Sequence, residues 1–286
     1  MSPAVEVPLT WNAQVSAARA AIAAWKSQGI HTIGYFDEDF PRAFRTMFDP
    51  PALVWVRGRL ATLDSRSVAI VGTRHPTPYG EDVATRVARA AVENRWIVIS
   101  GLARGIDTVA HTTTMESGGH TIAVLPSAVD VIHPAVNESV AIAIRDGGGA
   151  LLSELPPGKR PQGNSFVDRD RLQSALSRAV FVCQTGRSDG TMHTTRFAAE
   201  QGRHIYCPVL PAKMSEADEG IKLLLRSPGK DLPHLTPEWA KGHWNRGQLT
   251  NRPVATEFTI QSLDGIFKSL GADPAGLSRA DQSDDP

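Results

Sequence analysis

The segments VAIVGTR (residues 68–74) and WIVISGLARGID (residues 96–107) decide the fold of this chain. Each joins a short apolar run, typical of a buried strand, to a glycine-containing turn that leads into a helical pattern. Units of this kind repeat as far as Pro208, which predicts an α/β fold with a doubly wound, mostly parallel Rossmann-like sheet. In such sheets the turns gather at the carboxyl edge of the strands, where ligands bind.

Both turns suit an anionic ligand. Helix N-termini offer free backbone N–H groups to phosphate, and each turn adds an arginine, Arg74 in the first and Arg104 in the second. Glycine lets the backbone approach a ligand closely, so Gly72, Gly101 and Gly105 are candidate contact residues. A plain connecting turn explains the first segment equally well.

A third turn of the same type lies between a predicted strand at 179–183 and a helix. Its Ser188, Gly190 and Thr191 are candidates for cradling phosphate. An ordinary capped helix start, with Ser188 or Asp189 as the N-cap, is the alternative. We favour the phosphate role because three such loops would lie on one edge of the sheet.

Asp107 and His111 are one helical turn apart and share a helix face. Such a pair could serve a metal or acid–base site, but no third ligand stands out in the sequence. We therefore expect the two side chains to shape the loop through hydrogen bonds, and we expect no metal, no cofactor and no catalytic residue.

Nucleic-acid binding requires a local basic patch, because Lys+Arg and Asp+Glu are equal at 30 each. One candidate patch, residues 159–178, contains the cations Lys159, Arg160, Arg169, Arg171 and Arg178 against only Asp168 and Asp170. Cations at this density suit a nucleic-acid strip. A solvated helix face is the alternative.

The composition is that of an ordinary globular protein. We expect an N-terminal helical and extended segment at 1–65, laid against the sheet, a Rossmann-like domain at 66–232 and a partly disordered tail at 233–286. Residues 258–270 fit one amphipathic helix. The sequence has no membrane-length apolar run and no signal-peptide pattern, and its two cysteines lie in predicted strands. These features predict a cytoplasmic protein.

The motifs together resemble the DNA-processing protein DprA (Smf) family, within the wider SLOG superfamily of Rossmann-like domains. The resemblance runs from about residue 29 to residue 225. Its most specific segment is SGLARGID (100–107), followed by Ala110 and His111. The other matching segments are VAIVGTR (68–74), TPYG (77–80), LSELPPG (152–158), ALSRA (175–179) and DPP (49–51).

The resemblance implies a non-enzymatic protein that binds single-stranded DNA, forms a homodimer and assists a RecA-type recombinase in DNA uptake and transformation. It also implies that Arg74, Arg169 and Arg171 contact DNA. Two family residues of the later helix, an arginine and an asparagine, are Asp168 and Asp170 here. We expect these carboxylates to weaken DNA binding and its salt dependence. No winged-helix pattern is recognisable after residue 232.

The alternative function is that of a nucleotide-binding SLOG sensor without DNA-processing activity. SLOG phosphoribohydrolases carry a G-G-x-G-T-x-x-E loop, and the position of its glutamate holds Thr194 here. This replacement argues against hydrolysis and leaves sensing open. A scaffold whose crevice holds no ligand is the third interpretation.

Overall fold

The structure is a computed structural model that describes residues 10–60, 66–237 and 250–272. Within these ranges one nine-stranded sheet has the order β1-β2-β6-β5-β4-β3-β7-β8-β9. Only the pairs β1/β2 and β2/β6 are antiparallel. The strands are β1 Ile30–Gly34, β2 Leu53–Gly58, β3 Ser67–Gly72, β4 Ile97–Ser100, β5 Thr121–Val124, β6 Ala150–Ser153, β7 Ala179–Gln184, β8 His204–Pro208 and β9 Thr256–Phe258.

Helices cover both faces of this sheet, as the alternation of strands and helices predicts. They are α1 Trp11–Ser27, α2 Arg42–Arg45, α3 Pro78–Glu93, α4 Ile106–Glu116, α5 Glu138–Asp146, α6 Ser165–Ala175, α7 Thr191–Glu200, α8 Glu219–Arg226, α9 Leu232–Leu235 and α10 Leu263–Ala272. The prediction of a mostly parallel Rossmann-like sheet is confirmed.

The central strand β3 shows why this arrangement forms. Its apolar side chains are all buried, as expected for a parallel strand covered on both faces. Successive side chains point to opposite faces of a sheet. Ala69 and Val71 therefore join one core cluster, together with residues of α6 and α7. Val68 and Ile70 join another, with residues of α3 and α10.

The C-terminal part differs from the predicted single helix at 258–270. Residues 256–258 form the strand β9, which pairs in parallel with β8, and the helix begins later, at Leu263. Phe258 is buried on the sheet rather than on a helix. Its ring centroid lies 5.7 Å from that of Phe181, so core packing has overridden the helical periodicity.

The N-terminal strands β1 and β2 extend the same sheet at its other end. The division of the chain at residues 66 and 232 stays a prediction, and residues 238–249 and 273–286 of the expected partly disordered tail lie outside the described residues. Cys183 and Cys207 are both buried as free thiols. In the described ranges no helix has the length and apolarity needed to cross a bilayer.

Candidate nucleic-acid interface

The carboxyl ends of β5, β4, β3 and β7 lie side by side, since these four parallel strands are neighbours in the sheet. The turns that follow β4, β3 and β7, together with α6, surround a cavity of about 440 Å³, a volume within the range of small-molecule sites. Seven of the predicted site residues line it: Gly72, Arg74, Asp107, Arg169, Ser188, Gly190 and Thr191.

A second cavity, of about 250 Å³, adjoins the first. Arg74, Phe166 and Arg169 line both cavities, and Arg104 lines the second. Phe166 therefore borders both cavities. The Arg74 guanidinium carbon lies 5.8 Å from the centroid of this ring, within the range of a cation–π contact. The ring of His133 meets Phe166 edge-on at 5.4 Å between centroids.

Two glycines allow the turns to approach each other. Gly105 has φ +77°, and a Cβ there would lie 2.5 Å from the carbonyl oxygen of Thr73. A Cβ on Gly101 would collide with the guanidinium of Arg169 and the carboxylate of Asp107. Any larger residue at these positions would push the turns apart or displace the buried charges. Gly190, by contrast, has open space where a Cβ would lie.

Asp107 and His111 both hold the turn between β4 and α4. The Asp107 carboxylate accepts a hydrogen bond from the Ala103 N–H at 3.2 Å. The two His111 ring nitrogens lie 2.5 Å from the Gly101 carbonyl oxygen and 2.7 Å from the Thr121 hydroxyl. A neutral ring protonated at Nε2 donates to the Gly101 carbonyl, and its Nδ1 shares the single proton of the Thr121 hydroxyl with the Val98 carbonyl oxygen, 2.8 Å from that hydroxyl. Burial lowers the pKa of His111 to about 4, which favours this neutral form.

Arg169 is buried beneath the cavity, with 8% of its surface exposed. Its Nη1 donates to the carbonyl oxygen of Val124 at 2.7 Å, and its Nε donates to Asp170 Oδ1 at 3.0 Å. The guanidinium thus joins the end of β5 to α6. Much of its hydrogen-bonding capacity is already used within the protein.

Arg171 points away from this cavity and links α6 to the N-terminal segment. Its Nη2 donates to both carboxylate oxygens of Glu154, at 2.9 and 2.8 Å. Its Nε lies 3.0 Å from Asp49 Oδ2. Its Nη1 is buried without a hydrogen-bond partner among the described residues. The sequence-predicted DNA contact is therefore engaged in ion pairs on the far side of α6.

Lys159 and Arg160 are exposed, in the loop that follows β6. The Lys159 carbonyl accepts from the Ala128 N–H at 2.9 Å, which fixes this loop against the chain that follows β5. Neither side chain lines the two cavities. The predicted basic patch is thus divided between an exposed loop and two buried arginines.

The two aspartates of α6 occupy different environments. Asp168 is exposed and Asp170 is buried in the wall of the larger cavity. Burial raises the pKa of Asp170 to about 7, partly offset by Arg169 and reinforced by Asp107. Burial likewise raises the pKa of Asp107. The cavity floor therefore holds two carboxyl groups with only Arg169 buried between them.

The turn after β7 forms the opposite wall. The Asp189 carboxylate accepts from the Gly186 N–H at 2.8 Å, while Ser188, Gly190 and Thr191 face the cavity. No side chain caps the first turn of α7. The N–H groups of Met192 and His193 donate to the carbonyl oxygens of Asp189 and Gly190, so the N–H groups of Gly190 and Thr191 are the ones suited to a phosphate oxygen.

Sequence reasoning did not identify Phe166 or Gln173 as cavity residues, nor did it separate Asp170 from Asp168. Helical spacing carries the signal that was missed. Residues 166, 169, 170 and 173 follow the i, i+3, i+4, i+7 pattern and form the face of α6 that lines the cavity. Among the described residues no group of three His, Cys, Asp or Glu side chains suits a metal ion.

Comparison with known proteins places these features in one family. The model of the family described as "DNA recombination-mediator protein A" matches residues 31–230. "DNA processing protein DprA" of Bacillus subtilis is 36% identical over 206 residues, which cover 71% of this chain and 68% of the relative. "Protein Smf" of Escherichia coli is 33% identical over 211 residues, which cover 73% of this chain and 53% of the relative.

Two solved structures share the fold. DprA from Streptococcus pneumoniae superposes with a TM-score of 0.63 at 30% identity, over 70% of this chain and 71% of that one. The structure entitled "Structural insights into the unique single-stranded DNA binding mode of DNA processing protein A from Helicobacter pylori" gives a TM-score of 0.66 at 29% identity. It covers 84% of this chain and 96% of that one.

Proposed function

The chain belongs to the DNA recombination-mediator protein A family of DprA-type DNA-processing proteins, and we propose that it binds single-stranded DNA along the carboxyl edge of its sheet. The observation that carries this proposal is Arg74. Its exposed guanidinium stacks on Phe166 at the mouth of two adjoining cavities. Basic groups that follow the backbone and aromatic rings that stack on bases are the two elements of single-strand binding.

The cations best suited to bind phosphate are the exposed ones whose side chains are not already paired within the protein. Arg74 and Arg104 are exposed, and neither makes a hydrogen bond or ion pair with a side chain in the described ranges. We assign phosphate contact to these two, with Lys159 and Arg160 extending the track and Ser188, Gly190 and Thr191 offering the start of α7. Arg169 and Arg171 are assigned a positioning role, because their guanidinium groups already bind the protein.

The wider activity follows from family membership and is part of the same proposal. We propose that the protein acts in the cytoplasm as a homodimer and assists a RecA-type recombinase during DNA uptake and recombination. DNA binding at this edge would protect the strand without any chemical step, so no catalytic residue or cofactor is assigned.

The size of the larger cavity favours a second candidate, a nucleotide-binding sensor. A volume of about 440 Å³ is sufficient for a mononucleotide. The uncapped start of α7 would meet its phosphate. In this case the ligand would be a small nucleotide and DNA would not compete for it.

Titration with a labelled single-stranded oligonucleotide at several salt concentrations tests the proposal, with mononucleotides and cyclic dinucleotides as competitors. We expect affinity to fall with salt, with each phosphate contact contributing about 0.7 to the slope of log K against log salt. The double variant Arg74→Gln, Arg104→Gln should lower this slope by about 1.4. The control variant Arg19→Gln, Arg226→Gln removes the same charge from exposed positions on α1 and α8.

An unchanged slope in the Arg74 and Arg104 variant, at an unchanged melting temperature, would contradict the assigned site. Saturable binding of one small nucleotide without DNA binding would support the sensor. An equal loss of DNA affinity in the test and control variants would show that the DNA is attracted by overall charge rather than bound at a defined site.

A further inference from the structure

The floor of the larger cavity is built to accept hydrogen bonds rather than to bind phosphate. Asp107 and Asp170 both line it, and Arg169 is the one arginine buried between them. A phosphate placed on this floor would meet two acceptor groups and one cation that is already ion-paired. Of the exposed cations, Arg74 lines the larger cavity and Arg104 lines its smaller neighbour. A nucleotide would therefore enter with its base inward and its phosphate outward.

Asp170 leaves one oxygen for a ligand. Its Oδ1 accepts from Arg169 Nε at 3.0 Å. With the Gln173 amide oriented so that its oxygen accepts from the Gly101 N–H, the amide nitrogen donates to the same Oδ1 at 3.3 Å. Among the described residues no donor reaches Oδ2 of this side chain. The free oxygen belongs to a residue that lines the cavity.

The bases differ in the hydrogen-bond donors and acceptors that their Watson–Crick edges present to the cavity floor. Guanine presents two adjacent donors, its N1–H and its 2-amino group, with no acceptor between them. Thymine presents a single N–H between two carbonyl oxygens, which ionised carboxylates repel. Adenine and cytosine pair an amino group with an unprotonated ring nitrogen. Carboxylates accept hydrogen bonds and donate none when ionised, so guanine fits the floor best.

We propose that the larger cavity is a guanine-selective base pocket in which the carboxylate of Asp170 accepts from the Watson–Crick edge of the base. The inference rests on the proposed function, because it assigns a base preference to the same site. It is specific to the aspartate at position 170, where the family resemblance leads one to expect an asparagine. Guanine in a DNA strand and a free guanine nucleotide share this chemistry.

Fluorescence anisotropy with four short oligo-dT strands tests the pocket. Their central nucleotide is dT, dA, dG or deoxyinosine, which is guanine without its 2-amino group. At pH 8, above the pKa of about 7 that burial gives Asp170, we expect the dG strand to bind about tenfold tighter than the dT strand. The deoxyinosine strand should lose most of this gain. Competition by GMP and IMP separates a free nucleotide from a base in DNA.

The variants Asp170→Asn and Asp168→Asn form a matched pair, since each removes one negative charge from α6. Asp168 is exposed and lines neither the larger cavity nor its smaller neighbour. Both variants should bind the dT strand more tightly, because each removes a negative charge near the phosphate path. Only Asp170→Asn should reduce the preference for dG over deoxyinosine to within about twofold, because asparagine replaces one acceptor by a donor. Melting temperatures establish that both variants are folded.

The outcomes separate the two proposals. Equal affinity for all four strands overturns the guanine pocket and leaves single-strand binding intact. Preference for GMP over IMP without binding of any strand supports the pocket and overturns the DNA function. A dG preference that survives in Asp170→Asn, or is lost equally in Asp168→Asn, overturns the role of Asp170.

Discussion

The guanidinium of Arg171 lies 3.0 Å from the carboxylate of Asp49, across 122 positions of sequence, and joins the middle of α6 to the segment between α2 and β2. The same guanidinium binds Glu154 after β6. A residue whose motif predicts a DNA contact is thus a junction between three parts of the chain. We therefore expect a substitution of Arg171 to lower the stability of the fold.

We expect Arg171→Gln to lower the free energy of unfolding by about 2–3 kcal/mol, because it removes a buried hub and leaves Glu154 unpaired. Asp49→Asn should cost less than about 1 kcal/mol, since Asp49 is 62% exposed and solvent screens its charge. Urea denaturation of both variants and the double variant measures the coupling. Equal losses from the two single variants would contradict this ranking.

Gly105→Ala should destabilise the protein by about 1–3 kcal/mol, because Gly105 combines a positive φ with a close approach to Thr73. Gly190→Ala is the matched control, as its Cβ would meet open space. Thermal unfolding compares the two. If Gly190→Ala is folded normally but weakens DNA binding, its backbone lies close to the ligand. A neutral Gly105→Ala would show that the two turns are not held in contact.

His111 and Asp170 should give opposite pH dependences of stability. The folded-state pKa of His111, about 4, lies below its ordinary value of 6.5, so its contribution is lost as pH falls through that window. The folded-state pKa of Asp170, about 7, lies above its ordinary value of 3.8, so its contribution is lost as pH rises through that window. Each slope is at most about 1.4 kcal/mol per pH unit. Between about pH 4 and 6.5 the two effects offset each other.

Single variants should reveal the two slopes, measured as melting temperature against pH. The stability of Asp170→Asn relative to the parent should increase from pH 4 to pH 7 and then level. The stability of His111→Gln relative to the parent should increase as pH falls from 6.5 to 4. Flat difference curves would mean that these groups titrate normally in the folded protein.

Phe166→Ala should weaken single-strand binding by about 1–3 kcal/mol, the usual contribution of one base stacked on one aromatic ring. Phe166 is only partly buried, so its loss should affect folding little. Phe166→Trp, which keeps an aromatic surface, is the control and should retain affinity. If Phe166→Ala binds like the parent, the ring only supports Arg74.

Local sequence was sufficient to predict the alternation of strands and helices from β3 to β8. The run from Val68 to Val71 is apolar at every position, and only a strand covered on both faces needs that composition. β9 escaped prediction because it is three residues long and pairs with β8, about fifty residues earlier. Strand pairing over such a distance leaves no local periodicity.

The structure brings the predicted turn residues together beside the cavity, whereas α6 contributes Phe166 and Gln173, which the sequence did not indicate as site residues. Gly101 and Gly105 occupy tight positions that their backbone requires, which local sequence can indicate. The direction in which an arginine side chain points depends on its ion-pair partners. The partners of Arg171 are Asp49 and Glu154, which are distant in sequence. These ion pairs therefore follow only from the tertiary fold.

The turn fixed by Asp107 and His111 also bears on how fast a ligand binds. Folding has already ordered the backbone of this crevice, so binding loses little conformational entropy there. Association is then governed by encounter and electrostatic steering rather than by loop closure. We expect stopped-flow traces with a single phase whose rate rises linearly with DNA concentration and falls with salt. The crevice acts as a preorganised receptor rather than one shaped by its ligand.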